Sequence, residues 1–122
     1  MSCLFCNISE DSYIVENAHF FAIKDRAPVT KGHSLIISKR HFQTFFEVSP
    51  EEILYLREIV LMLKEALDQQ YHPSGFNLGM NCGRHAGQTV FHFHLHIIPR
   101  YTDSGKEDEQ IGDLHEYIKE IL

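Results

Sequence analysis

The sequence predicts an α+β fold: a mostly antiparallel sheet of about five strands, one long helix and a short C-terminal helix. Three observations predict it. Short apolar runs of strand length are separated by turn-rich connectors. A single capped stretch carries a long helical stripe. No repeating βα unit links the strands, which argues against a parallel sheet. With 122 residues, 43% of them apolar, the chain is sized for one domain over 1–122 with a core of its own.

Taken in order, His19 to Ile23 is apolar and aromatic and reads as a strand ending at Lys24-Asp25. "DRAPVTKGH" is a connector with Pro28 and Gly32, and Ser34 to Ser38 is a second strand stopped by Lys39-Arg40. Ser49 is an N-cap, Pro50 suits the first helical position and Glu52 completes a capping box. Ile53, Leu56, Ile59, Val60, Leu63 and Leu67 then recur at helical spacing to about Gln70. Leu54, Leu61 and Met62 widen the stripe to a second face. Such a helix is covered twice, by a second subunit or wholly by its own chain, and the width of the stripe favours a self-associating dimer. A turn at Pro73 to Gly75 leads to a strand over Phe76 to Asn81, and the loop "NCGRHAG" to another over Thr89 to Ile98, closed by Pro99. A C-terminal helix is expected from Asp113, after a solvated acidic loop.

A formal charge of −6 argues against a nucleic-acid or acidic-membrane surface, both of which call for clustered Lys and Arg. The apolar runs are far shorter than the roughly 20 residues of a membrane span. No secretory apolar segment opens the chain, and three cysteines is an odd number, so reduced thiols or metal ligands in a cytoplasmic protein are expected.

"TVFHFHLHIIPR" carries the chemistry. On a strand, residues two apart share a face about 6.5–7 Å apart. His92, His94 and His96 are therefore expected on one face, with Phe91, Phe93, Leu95 and Ile97 on the other. A zinc site of these three alone is awkward, because neighbouring strand imidazoles diverge from one shared ion. Upstream, the loop Cys82 to Gly87 runs into Gln88-Thr89, where glycines let backbone N–H groups approach an anion and Thr89 adds a hydroxyl. An anion cradle beside imidazoles suits phosphoryl or nucleotidyl transfer.

"HFHLHII" resembles the His-x-His-x-His-x-x signature of the histidine triad (HIT) family, and "CLFCNI", "FAIKDRAPVTKGHSLIISKRH" and "NCGRHAGQTVFHFHLHIIPR" extend the likeness over nearly the whole chain. The resemblance implies a homodimer whose sheet continues across two subunits, and hydrolysis at the α-phosphate of a small nucleotide substrate. It assigns His94 as nucleophile and His96 as phosphate partner, with His33 orienting the triad. Asn81 and Thr89, with the backbone at Gly87 and Gln88, would hold phosphate oxygens and the leaving group. Asp25 would take the ribose hydroxyls, and Phe5, Ile8 and Ile23 would wall the base. The plainer alternatives are a turn cap for Asp25 and ordinary core for the three apolar residues. No catalytic metal is expected.

Cys3-x-x-Cys6 is a metal-ligand or redox pair by spacing, and its place at the start of the chain speaks against the redox reading. A closed structural zinc site requires two further ligands, for which His41 and His92 are the candidates, and the resemblance to members carrying these cysteines agrees. Two buried free thiols are the alternative, and Cys82 has no partner in either scheme. Within the enzyme reading, "GQTV" and "IIPR" resemble the branch that cleaves dinucleoside polyphosphates. Asp25 and the two cysteines look like the branch that cleaves nucleoside phosphoramidates. A nucleotide-binding regulatory module without turnover is the competing class.

Overall fold

The computed structural model describes residues 3–102, and its strands are β1 (Val15–Glu16), β2 (Phe20–Lys24), β3 (Ser34–Ser38), β4 (Gly75–Gly79) and β5 (His94–Arg100), with one helix, α1 (Pro50–Tyr71), between β3 and β4. The helix expected from Asp113 lies outside the described residues. The strands form one antiparallel sheet in the order β1-β2-β3-β5-β4. β5 thus lies between β3 and β4, and its two faces serve different layers.

On one face, Leu95 and Ile97 join Ile36, Ala22 and Phe20 against Leu56, Ile59, Leu63 and Leu67 of α1. Those helix positions are three or four apart, which puts them on a single stripe. On the other face, Leu35 lies opposite His96 and Ile37 opposite His94. There a second apolar cluster forms from Phe5, Phe21, Leu35 and Ile37. β3 is buried along its whole length because both faces are covered.

α1 begins as the sequence predicts. The Ser49 side chain accepts from the Glu52 N–H, and the Glu52 carboxylate accepts from the Ser49 N–H. The same carboxylate takes both Nε and Nη2 of Arg40 at 2.9 Å, and the Arg40 guanidinium lies over the Phe42 ring. At the far end no glycine is present, and His72 takes the left-handed conformation itself (φ 53°). The second apolar face looks outward, with Leu54 71% and Leu61 46% exposed.

β2 is shifted by one residue from expectation, and three strands differ by more. β4 is Gly75–Gly79, not Phe76 to Asn81, and Leu78 on this sheet edge is 43% exposed while Phe76 and Met80 pack on the helix side. The two-residue β1, too short to leave an alternating pattern, precedes β2. β5 starts at His94 rather than Thr89, because the Phe93 N–H is given to the Phe42 carbonyl outside the ladder. It also runs through Pro99. The Pro99 carbonyl accepts the Thr30 hydroxyl, so the edge on which proline lacks its N–H is one that β3 has already left. Consequently His92 precedes the strand, and Phe91 is 39% exposed instead of joining the helix-side core.

Candidate active site

His94 opens β5, and its Nδ1 lies 2.9 Å from the carbonyl oxygen of His92. A carbonyl only accepts, so Nδ1 carries the hydrogen and Nε2 keeps its lone pair in the neutral ring. Burial pushes the His94 pKa below the ordinary histidine value, against the opposing pull of that bond and of Asp25.

The His33 ring is fixed by the backbone. Its Nδ1 accepts the Val29 N–H at 3.0 Å, so Nε2 must carry the hydrogen and the ring is neutral. That hydrogen faces His96 Nδ1 at 2.9 Å and Asp25 Oδ2 at 3.3 Å. His96 Nδ1 is thereby the acceptor, and its Nε2 carries the hydrogen. The polarity runs one way: backbone amide to His33, His33 to His96, and His96 onward as a donor. Burial, with His94 and His33 nearby, pushes the His96 pKa down to about 3, and burial also lowers that of His33. Asp25, His33 and His96 bring ligand atoms within 4.8 Å of one another. A cation on His33 Nε2 would, however, put a hydrogen on Nδ1 facing the Val29 N–H, so this trio is a hydrogen-bond relay.

His94 and His96 border a cavity of about 750 Å³. Phe5, Ile8, Ile23, Asp25 and Thr89 line it, and so do Leu35, Val90 and Tyr13, which the sequence did not single out. Leu35 is found only through its register with His96, and Tyr13 stacks on Phe21 with centroids 4.3 Å apart. Asp25 does two things at once: Oδ1 caps a turn by accepting the Ala27 N–H, and Oδ2 faces His33.

Asn81, Gly87 and Gln88 are not among the lining residues. The Gly87 N–H is donated to the Arg84 carbonyl and the Gln88 N–H to the Gly83 carbonyl. Both amides close the loop on itself. The Gln88 side chain accepts from the Gly83 N–H and donates to the carbonyls of Gln43 and Val90, which makes it a staple between loops. Asn81 Nδ2 is buried without a hydrogen-bond partner among the described residues, a donor suited to a ligand.

A second cluster stands beside the first. Cys3 Sγ lies 3.3 Å and Cys6 Sγ 3.5 Å from His92 Nδ1, and Cys6 Sγ lies 3.1 Å from His41 Nδ1. His92 Nε2 donates to the Ser38 carbonyl at 2.7 Å, which leaves Nδ1 as a lone pair aimed at the sulfurs. Two thiols and two imidazoles within 4.8 Å, one imidazole held by a carbonyl behind it, fit the donor set of a tetrahedral zinc ion.

A family model for the HIT domain matches residues 8–103. The chain belongs to the histidine triad family. Among solved HIT structures, one from Bacillus anthracis is 37% identical, covers 98% of this chain and 94% of its own, and superposes with a TM-score of 0.75. A zinc-bound histidine triad protein from Mycobacterium smegmatis is 30% identical over 97% of this chain and 88% of its own, with a TM-score of 0.73. The HIT relatives include an adenosine 5′-monophosphoramidase of Schizosaccharomyces pombe, 36% identical over 82% of this chain and 75% of that enzyme.

Proposed function

We propose that the chain is a nucleotide hydrolase acting at the α-phosphate of adenosine-type nucleotides, phosphoramidates or dinucleoside polyphosphates, through a covalent nucleotidyl-histidine intermediate. The observation that carries this reading is the His94 ring, its Nδ1–H held by the His92 carbonyl and its Nε2 lone pair free beside the cavity. The Nε2 lone pair forms a bond to phosphorus while the bond to the leaving group breaks; a departing amine takes its proton from solvent water, and a departing phosphate leaves as the anion. Water then attacks phosphorus and gives up a proton to solvent, the N–P bond breaks, His94 regains its lone pair and a nucleoside monophosphate leaves. His96 Nε2–H donates to a phosphate oxygen as charge develops there. Thr89 and Asn81 serve the phosphate and leaving group, Asp25 the ribose, and Phe5, Ile8 and Ile23 the base. Gly87 and Gln88 shape the loop that presents Thr89.

The S. pombe phosphoramidase supports the substrate class, and the M. smegmatis structure supports zinc as a structural ion on Cys3, Cys6, His41 and His92. A zinc ion there would cross-link the N-terminal segment to the strand region. The outward apolar face of α1 supports a homodimer. A cytoplasmic setting, without nucleic acid or membrane partners, is part of the same proposal. No helix among the described residues is long and apolar enough to cross a membrane. The test incubates the protein with adenosine 5′-phosphoramidate and with diadenosine polyphosphates beside His94→Asn. AMP release from at least one substrate, absent in the variant, is expected, and no AMP above the variant's background from either would leave only a binding module.

A further inference from the structure

Two independent contacts join the thiol–imidazole cluster to His94. The first runs through one residue: the His92 ring faces Cys3 and Cys6, while the His92 carbonyl holds the His94 Nδ1–H. The ring is fixed at its other nitrogen by Ser38 on β3, so whatever anchors the ring also anchors the carbonyl. The second is Phe5, which lies between the two cysteines in sequence. Its buried ring meets the His94 ring edge-on at 5.1 Å and the His92 ring at 6.1 Å, and it walls the cavity with Leu4 and Ile8.

The segment from Cys3 to Ile8 belongs to no strand, and its bond from the Cys6 N–H to the Cys3 carbonyl is internal. It is held to the body by the buried Phe5 ring, by the packing of Cys3 and Ile8 on the Phe21, Leu35 and Ile37 cluster, and by the thiol–imidazole cluster itself. We propose that the cluster is a positioning device for the nucleophile: a metal ion on Cys3, Cys6, His41 and His92 sets both the Phe5 wall and the orientation of the His94 ring. Phe5 and His92 are positioning residues here, acting on His94 without touching phosphorus. The cavity wall arm rests on the nucleotide reading, whereas the His94 arm rests on geometry alone.

The test compares full-length protein loaded with zinc and stripped by a chelator. AMP binding is measured by titration calorimetry, and the His94 Nδ1–H is followed by nitrogen–proton correlation spectra. Stripping is expected to weaken AMP binding by about tenfold and to erase the slowly exchanging Nδ1–H signal. Phe5→Leu, which keeps an apolar side chain but loses the ring edge, is expected to do both at full zinc content, and Phe5→Tyr to restore both. The proposal is overturned if the protein takes up no zinc, or if the His94 signal survives stripping or Phe5→Leu unchanged. Should the stripped protein unfold, the zinc-loaded Phe5→Leu protein decides. Failure of AMP to bind the loaded wild type would refute the nucleotide reading, and the His94 signal would still decide the coupling.

Discussion

At the level of single residues, neighbouring imidazoles in one row have been given different hydrogens by different carbonyl and amide partners. His94 and His92 each sit against a carbonyl, but through opposite nitrogens, so one presents Nε2 and the other Nδ1. Removing the nucleophile with His94→Asn is expected to cut turnover by on the order of 10³-fold or more, read as AMP release. His33→Ala deletes the donor that fixes the His96 tautomer, and a loss of roughly 10²-fold in kcat with little change in KM is expected. A fall in affinity alone would assign His33 to binding instead. For His96 the pH dependence has a definite sign. Its folded pKa of about 3 lies below the ordinary 6.5, so the unfolded chain takes up the proton first. Its contribution to stability is complete above pH 6.5 and falls as the pH drops from there toward 3. A His96→Gln variant is therefore expected to show a shallower loss of denaturation midpoint over that window, measured by urea melts at several pH values.

At the level of elements, α1 was legible almost to the residue, because its start is written in local chemistry: Ser49, Pro50 and Glu52 need nothing distant to form a capping box. Glu52 also draws on Arg40, which holds its carboxyl at about 2, so its contribution is present above the usual carboxylate range and lost as pH falls toward 2. Glu52→Gln is expected to lower stability by about 1–2 kcal/mol at pH 7, and by less at pH 3, in chemical denaturation. Four of the five strands were legible, β3 to the residue and β2 to within one, whereas β1 and the ends of β4 and β5 were not. Thr89 to Phe93 has a strand-like sequence and yet lies outside the ladder, since Phe93 bonds to Phe42 and Val90 to the Gln88 amide, partners fixed only by the tertiary fold. The same gap explains the site. Histidine parity could be read from spacing, whereas Leu35 and Val90 reach the cavity through register and loop closure.

Across the whole molecule, β5 divides labour between alternate residues, with Leu95 and Ile97 holding the sheet to α1 while His94 and His96 face the cavity. The opposite side of α1 is left with Leu54 and Leu61 in the open. Sedimentation at micromolar concentration is expected to show a dimer, and Leu54→Glu with Leu61→Glu a monomer with an unchanged circular dichroism spectrum. A wild type that sediments as a monomer would remove the dimer from the proposal. Zinc has an equally direct readout: purified protein is expected to carry about one ion per chain, Cys3→Ser to carry none, and the variant to melt at a lower temperature. Metal-free wild type would return Cys3 and Cys6 to ordinary thiols.

The amide of Val29 fixes the direction of the relay, and that has a consequence for how this site tolerates sequence drift. Every amino acid but one supplies the same N–H at position 29, whatever its side chain, so nineteen of the twenty amino acids leave the donor to His33 Nδ1 in place. Proline alone erases the hydrogen. A tautomer written in the main chain is thus heritable without being spelled by any particular side chain, and at position 29 Val29→Pro is the one edit that removes its donor.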